Sequence, residues 1–164
     1  MTTERRSGVR IRPLEARHLG AVVTIEAACF GAEAWPREAF MDVLRAFRQA
    51  RGGRGGLWIA EDLESREIVG YVGLETSALR GEADIINIAV GAPHRRQGVA
   101  RALLDRIVRR CRQMGIELLW LRVRASNQPA RRFYRAMGFE QRGTFVDYYR
   151  DPDEPAVLMA MDLD

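Results

Sequence analysis

The segment from His94 to Val108, HRRQGVARALLDRIV, decides the fold, because it joins the pattern of a buried strand to the pattern of a helix. Just before it, the run ADIINIAV at Ala83–Val90 is short, apolar and rich in β-branched residues, as in a buried strand. After Gly98 the apolar residues recur at helical spacing. A strand followed by a basic, glycine-containing turn and a helix predicts an anion site, since the first N–H groups of a helix lack partners.

The composition is that of an ordinary globular protein. The 164 residues suit one domain, and we expect residues 1–164 to form a single domain. Hydrophobic residues make up 47% and charged residues 29%, a mix that is not typical of disordered chains. No apolar run is long enough to span a bilayer, and MTTERRSGVR lacks the apolar segment of a secretory signal. We therefore expect a cytoplasmic protein without a membrane partner.

The charge pattern favours anionic partners. The formal net charge is +4, and all 26 basic residues are arginines. A positive chain favours a nucleotide cofactor, an acidic protein or RNA. Nucleic acid is the least favoured of these, because the arginines are spread along the chain without interleaved aromatic residues. The stretch RGGRGG at 51–56 is predicted to be a flexible loop and adds little to an RNA-binding hypothesis.

The cysteines and histidines do not form a metal-binding pattern. Cys29 and Cys111 lie in helix-like patterns without a CxxC spacing, which predicts two buried thiols. His18 and His94 are isolated from other ligand residues. The sequence therefore predicts no metal site.

The hydrophobic periodicity predicts the element order β-α-α-β-β-β-α-β-α-β-β. The first strand is GVRIRPL, Pro13 opens a helix that runs to about Cys29, and Pro36 begins the second helix. Ala100–Met114 is predicted to be the third helix. Because helices follow only some of the strands, we expect an α/β (mixed α+β) fold with one mixed sheet of about seven strands and helices on both faces.

The basic turn has the properties of a phosphate cradle. Gly98 allows close approach of backbone to a phosphate, and Ala100 is small enough to allow the same. The arginines around them supply charge with a geometry that suits phosphate. The turn has neither the GxGxxG dinucleotide fingerprint nor the GxxxxGK[ST] P-loop.

The six residues from Arg95 to Ala100 fit the pattern Q/R-x-x-G-x-G/A, and here the chain resembles the GNAT superfamily of acetyl-CoA-dependent N-acetyltransferases. The resemblance extends to NIAV before the turn and to LWLRVRASNQPARRFYRAMGF after it, and it covers about Gly8 to Asp162. Within the superfamily the chain is most similar to the RimI-like ribosomal-protein-alanine N-acetyltransferases. The resemblance implies a GNAT fold with a splay between strands 4 and 5, and acetyl-CoA as the acetyl donor.

The resemblance also implies which residues bind the coenzyme. The fourth strand would bond the pantetheine arm and the turn would bind the pyrophosphate. Asn127 would contact the coenzyme near the pantetheine, and its alternative role as a helix N-cap is compatible with this. Tyr134 is at the family's position for the acid that protonates the thiolate, although a packed helical tyrosine is an alternative. The implied cofactor-binding residues are Ile88, Ala89, Val90, Arg95, Arg96, Gln97, Gly98, Val99, Ala100, Arg101, Asn127 and Tyr134.

The general base is where the chain departs from its nearest relatives. RimI-like enzymes carry a glutamate where this chain has Arg122, and a guanidinium cannot act as a base. Other GNAT branches place an acid on the fourth strand at the position of Asp84, and Glu82 lies on the same strand face as a second candidate. Arg122 would face Asp84 across adjacent strands and favour the ionised carboxylate. Alternatively, the two form only a structural ion pair, and an ordered water or an already neutral amine suffices.

Two groups of aromatic residues are candidates for the acceptor groove. Tyr148 and Tyr149 resemble one wall of that groove in the family, although ordinary strand tyrosines would give the same pattern. Phe30 and Trp35, between the first two helices, are candidates for the other wall. Arg122 is counted with them as a candidate acceptor-binding residue.

The leading hypothesis is an N-acetyltransferase that acts on a protein N-terminal α-amine of the alanine type, as a monomer or homodimer. The arginine at position 122 gives weight to a different acceptor, a small amine such as a polyamine, an amino acid or an aminoglycoside. A non-catalytic acyl-CoA-binding module is a third alternative. The intact turn, Tyr134 and an available carboxylate argue against that third alternative.

Overall fold

The structure is a computed structural model that describes residues 8–49 and 55–163. Within these ranges the chain forms the predicted order of strands and helices, confirming the element pattern. The elements are β1 (Val9–Pro13), α1 (Leu19–Phe30), α2 (Arg37–Gln49), β2 (Gly55–Asp62), β3 (Ile68–Ser77), β4 (Glu82–Val90), α3 (Val99–Gln113), β5 (Leu118–Arg124), α4 (Gln128–Ala136), β6 (Glu140–Tyr149) and β7 (Glu154–Asp162).

The seven strands are hydrogen-bonded in the order β1-β2-β3-β4-β5-β7-β6. The β4–β5 pair is parallel, whereas β1–β2, β2–β3, β5–β7 and β6–β7 are antiparallel, so the mixed sheet of the predicted α/β fold is confirmed. The parallel ladder holds only three pairs, from Glu82–Leu118 to Asp84–Trp120. Both strands continue past the last pair, β4 to Val90 and β5 to Arg124. Pairing that stops this early is what a splay between strands 4 and 5 requires.

The chain forms two compact units. The first contains the described residues up to Glu75 together with 86–107. Its core is built by the apolar faces of α1 and α2 and by β2 and β3. The buried members of this core are Leu14, Leu19, Val22, Ile25, Phe40, Leu57, Ile59, Tyr71 and Ala89.

The second unit contains residues 76–85 and those from Val108 onward. β5 pairs with β7 along its whole length, and β7 in turn pairs with β6. The inward residues of β5 and β7 are fully buried, whereas most of β6 is exposed. Near the end of β6, three residues lie opposite the single residue Pro155, and Asp147 there has a φ of +57°. This bulge turns the backbone beside Tyr148 and Tyr149.

The start of the first helix differs from the prediction. Pro13 does not open a helix, because it ends β1, where it pairs with Trp58. The next N–H, from Leu14, donates to Leu57 O at 2.8 Å and keeps the chain extended for one more residue. A short 3-10 turn then precedes α1, which begins at Leu19. Sheet pairing to a distant strand overrides the local preference of proline for a helix start.

The glycine-rich stretch also differs from its prediction in part. Residues 51–54 lie outside the described residues, but Gly55 and Gly56 belong to β2 and pair with Glu75 and Leu74. A Cβ at Gly55 would lie 2.0 Å from Leu74 O, and its φ is +149°. The prediction of a loop is wrong for these two residues, because both glycines lie in a strand that pairs with β3. In the described ranges, no helix is both long and apolar enough to cross a membrane.

Candidate functional site

The start of α3 in the first unit is an exposed helix N-terminus. The hydrogen bond from Ala102 N–H to Gly98 O, at 3.0 Å, is the first of the helix. The N–H groups of Val99, Ala100 and Arg101 come before it and are therefore not used by the helix itself. Gly98 has a φ of +83°, a conformation that side chains with a Cβ rarely adopt. The residues from Arg95 to Gly98 are exposed, and only the side chain of Val99 is buried. These amides and the positive end of the helix dipole can take a phosphate.

The side chains of the turn are not all directed outward. Arg95 Nε donates to Val90 O at 3.2 Å, and its Nη2 lies 3.4 Å from the sulfur of Cys29. The Gln97 amide donates to Pro93 O at 3.2 Å. Arg95 and Gln97 therefore hold the turn in shape, whereas Arg96 and Arg101 are exposed and available to a polyanion.

The end of β4 carries backbone groups that already have partners. Ile88 N–H donates to Asn87 Oδ1 at 3.1 Å. Val90 O accepts from Arg95 and, at 3.6 Å, from the thiol of Cys29. Among the three predicted cofactor-contacting residues of this strand, Ile88 is therefore the one whose N–H is engaged by a side chain.

Asp84 and Arg122 meet in the second unit. Arg122 Nη1 donates to Asp84 Oδ1 at 3.0 Å, and each side chain is 34% exposed. The contact follows from the register, because Asp84 pairs with Trp120 and Arg122 is two residues further along β5 on the same face. Arg122 also lies over the ring of Phe145, 5.8 Å from its centroid. Both side chains reach solvent, so the carboxylate of Asp84 is accessible from outside the protein.

Tyr134 lies near the end of α4 and is 9% exposed. Its ring packs against Phe139 with the centroids 5.9 Å apart. Burial, with a smaller contribution from Tyr149, raises the pKa of Tyr134 above its ordinary value of 10. The phenol therefore keeps its proton at neutral pH and can serve as a donor.

Asn127 is the N-cap of α4. Its Oδ1 accepts from Ala130 N–H at 3.2 Å, so the capping alternative is confirmed. This cap uses only the side-chain oxygen, and the amide NH₂ is a separate donor.

The candidate acceptor residues divide between the two units. In the first unit, Phe30 ends α1 and is 38% exposed, and Trp35 packs against Phe40 with a centroid distance of 5.4 Å. In the second unit, Tyr148 is 50% exposed and stacks edge-on against Tyr149 at 4.9 Å. Arg124 lies over the ring of Tyr149 at 4.5 Å and forms a 2.9 Å ion pair with Glu154. The tyrosine pair is thus held by its own strand and by an arginine of β5.

The buried Glu26 was not among the predicted site residues. Its side chain is 1% exposed and accepts hydrogen bonds from Tyr71 O–H, from Trp35 N–H and from the amide of Asn87. The sequence does carry a signal for it, since Glu26 follows Leu19 and Val22 at helical spacing on the face that enters the core. A carboxylate on an apolar helix face is rarely buried without partners.

The described residues contain no group of three or more His, Cys, Asp or Glu side chains that would hold a metal ion. They do contain an exposed helix start in the first unit, and an accessible carboxylate and a protonated phenol in the second. These are the parts that an acyl transfer from a phosphate-bearing thioester to an amine requires.

The strand order and the turn at the start of α3 together define a GNAT-type domain. Residues 19–139 match the model of the acetyltransferase (GNAT) family. The chain belongs to the GNAT acetyltransferase family.

Two relatives and one solved structure place the chain further within that family. The [ribosomal protein bS18]-alanine N-acetyltransferase of Escherichia coli (strain K12) is 39% identical over 88 residues, which are 52% of this chain and 60% of the relative's length. The protein of the same name from Haemophilus ducreyi is 37% identical over 101 residues, 60% of this chain and 68% of that one. The crystal structure of the ribosomal-protein-S18-alanine N-acetyltransferase from Escherichia coli matches with a TM-score of 0.79 at 28% identity, covering 95% and 94% of the two chains.

Proposed function

We propose that this protein is an acetyl-CoA-dependent N-acetyltransferase whose acceptor is the α-amine of a protein N-terminus that begins with alanine. The observation that supports the transferase activity is the exposed start of α3. There Gly98 has a φ of +83°, and the first N–H groups of the helix are not used by its own hydrogen bonds. The acceptor is proposed from the names of the relatives in Escherichia coli and Haemophilus ducreyi.

The donor fits the residues of the turn. A coenzyme A pyrophosphate needs several N–H donors and positive charge, and the segment from Gly98 to Arg101 offers both. Exposed arginines at 96 and 101 add charge that a nucleotide tail would neutralise. When bound, the coenzyme supplies an acetyl thioester with a thiolate leaving group.

The proposed chemistry assigns one proton step to each of two side chains. The acceptor amine is mostly protonated at neutral pH, because an α-amine has a pKa of about 8. Asp84 takes the proton from this ammonium group. Tyr134, kept protonated by burial, gives its O–H proton to the thiolate. Glu82, on the same face of β4 as Asp84, is the second candidate for the base. A backbone N–H of Ala89 or Val90 polarises the carbonyl.

The two compact units are proposed to act as one acetyltransferase domain in the cytoplasm. β4 and α3 each run without interruption from one unit into the other, with the divisions at Ile85/Ile86 and Ile107/Val108.

The experiment that tests the acceptor is a panel of amines incubated with the purified protein and acetyl-CoA. The panel contains peptides that begin with alanine, the same peptides with a blocked N-terminus, polyamines, amino acids and aminoglycosides. We expect mass spectrometry to show one added acetyl group on the alanine peptides and none on the blocked controls. Transfer only to small amines would contradict the proposed acceptor, and no transfer to any amine would contradict the proposed activity.

A small-amine acceptor is the second candidate function, and the Asp84–Arg122 pair favours it. The guanidinium bonded to Asp84 places a positive charge beside the proposed base, where the RimI-like enzymes carry a carboxylate. A small amine or amino acid that carries its own carboxylate would find a partner in that guanidinium. In the panel, an acidic amino acid outperforming every peptide would support this candidate.

A further inference from the structure

Glu26 lies where a lone carboxylate is costly, in the core of the first unit. Its side chain is 1% exposed, and its described hydrogen-bond partners are all neutral donors. Removing a carboxylate from water without such donors costs several kcal/mol. The fold is therefore stable with a carboxylate at this position only if these hydrogen-bond donors are held in place. The segments that supply the donors are the ones that the carboxylate connects.

The donors come from three separate segments. Trp35 N–H, at the entry to α2, donates to Glu26 Oε1 at 3.1 Å. Tyr71 O–H, from β3, donates to Oε2, and burial together with Glu26 raises the pKa of this phenol. Asn87 Nδ2, from β4, lies 2.9 and 3.1 Å from the two carboxylate oxygens. One α1 side chain thus ties together the loop before α2 and two strands.

The orientation of the Asn87 amide follows from these contacts. Its NH₂ faces the carboxylate, because a flipped amide would set its own oxygen against two carboxylate oxygens. The amide oxygen is then directed to Ile88 N–H, from which it accepts at 3.1 Å. The hydrogen bonds therefore run from Glu26 through Asn87 to the backbone of β4, next to the amides of Ala89 and Val90.

We propose that Glu26 is a positioning residue that holds two working parts of the site at once, the Trp35 loop and the β4 backbone at Ile88. This inference rests on the proposed function, in which the β4 amides beyond Ile88 polarise the thioester, and on Trp35 as the candidate wall of the acceptor groove. Glu26 itself does not touch either substrate, since it is buried.

Three variants separate positioning from simple stability. Glu26→Leu removes both acceptor oxygens, and so it breaks both connections. Asn87→Ala breaks only the connection to β4, leaving Trp35 bound to Glu26. Tyr71→Phe is the matched control, since it removes one hydrogen bond from the same carboxylate without changing either connection. All three are measured with the most active acceptor of the amine panel.

The expected results differ in kind. Glu26→Leu lowers kcat about tenfold and raises the acceptor KM about tenfold, because the Trp35 loop and the β4 backbone both lose their hydrogen bonds to this residue. Asn87→Ala lowers kcat by about tenfold and leaves the acceptor KM within about twofold of wild type. Tyr71→Phe lowers the melting temperature but leaves kcat and KM within about twofold of wild type. Equal kinetic losses in all three variants, or unchanged kinetics in Glu26→Leu, would overturn the proposal.

A second measurement keeps the inference testable if Glu26→Leu folds poorly or if no acceptor is found. Amide hydrogen exchange at Trp35 and Ile88 is compared between wild type, Asn87→Ala and Tyr71→Phe. We expect faster exchange at Ile88 in Asn87→Ala alone, with Trp35 unchanged. Unchanged exchange at Ile88 would overturn the proposal. Complete inactivity of the wild type would instead refute the proposed function and leave the exchange result to decide about Glu26.

Discussion

The turn at the start of α3 and the Asp84–Arg122 pair are two parts of the candidate site, and they are built in opposite ways. The turn, in the first unit, is made of consecutive backbone from Arg95 to Arg101, and its geometry depends on one glycine with a φ of +83°. The pair, in the second unit, joins side chains 38 residues apart at 3.0 Å. Backbone sites of this kind are local in sequence and tolerate most side-chain changes. Side-chain pairs depend on the strand register and respond to every change of charge.

The largest expected effect is a break in the turn. Gly98→Glu adds a negative charge and a Cβ where φ is +83°, so both charge and backbone oppose a bound phosphate. We expect acetyl-CoA affinity, measured by calorimetry, to fall on the order of 100-fold, equivalent to about 2.8 kcal/mol. Gly115→Glu is the matched control at the other end of α3, exposed and with a φ of +71°. Affinity lost equally in both variants would show that strain, and not the turn, is responsible.

The next largest effect concerns the pair itself. If Asp84 is the base, Asp84→Asn lowers kcat/KM on the order of 100-fold near pH 6.5 and less near pH 9, where the amine is already neutral. The measurement is a pH–rate profile with a saturating amount of acetyl-CoA. Glu82→Gln serves as the comparison, since it removes the other carboxylate on the same face of β4. A pH–rate profile of Asp84→Asn that runs parallel to that of the wild type would contradict a role of Asp84 as the base. Asp84 would then form only a structural ion pair with Arg122.

A variant of Tyr134 tests whether this residue of the second unit is the acid that protonates the thiolate. Tyr134→Phe keeps the packing against Phe139 and removes only the O–H. We expect kcat to fall about tenfold, less than for the base, because a thiolate with a pKa near 8.5 is a fair leaving group without assistance. Acetyl-CoA affinity should stay within about twofold of wild type. A variant with weakened affinity and unchanged kcat would place Tyr134 in binding and not in proton transfer.

The smallest effect is on stability and comes from the first unit. His18 is 6% exposed, and burial, with the charges of Arg12 and Arg17, lowers its pKa below the ordinary value of 6.5. The unfolded chain therefore binds a proton at His18 more readily than the folded protein does. The contribution of neutral His18 to the free energy of unfolding is complete above pH 6.5 and is lost as the pH falls below it. We expect the urea midpoint to decline over this range.

The matched variant for this prediction is His18→Asn. Its amide oxygen can accept from Glu15 N–H as His18 Nδ1 does at 2.9 Å, but it does not titrate. The decline of the urea midpoint below pH 6.5 should become shallower in this variant. An identical decline in both proteins would assign the pH dependence to other groups. The result also matters for the turn and the pair, because a pH–rate profile is meaningful only where the protein stays folded.

Some of the fold was predictable because it depends on local patterns. Alternating or continuous apolar runs identified all seven strands of the described chain, and Asn127 was recognised as a possible cap of α4. Pro13 and the Gly55–Gly56 pair were assigned wrongly, since hydrogen bonds to strands far away in sequence decide their conformation. Local signals are weakest where a segment's partner is distant.

The candidate site shows the same division. The turn from Arg95 to Ala100 was recognisable from six consecutive residues, and the contact of Arg122 with Asp84 was anticipated from the strand order and is confirmed at 3.0 Å. The roles of both residues in catalysis stay predictions. Glu26 was missed, because nothing at its position in the sequence shows that Tyr71 and Asn87 will meet it 45 and 61 residues later.

The sequence by itself determined the family, the order of strands and helices and the position of the glycine-containing turn before α3, because each depends on residues that are neighbours along the chain. Only the tertiary structure decided that Glu26 is buried among neutral donors, that Arg95 reaches the sulfur of Cys29, and that the β4–β5 ladder stops at Asp84. Those features are set by register and packing between distant segments. The energy of a buried carboxylate or of an early end to pairing depends on which groups surround it, and the linear order of residues does not specify that.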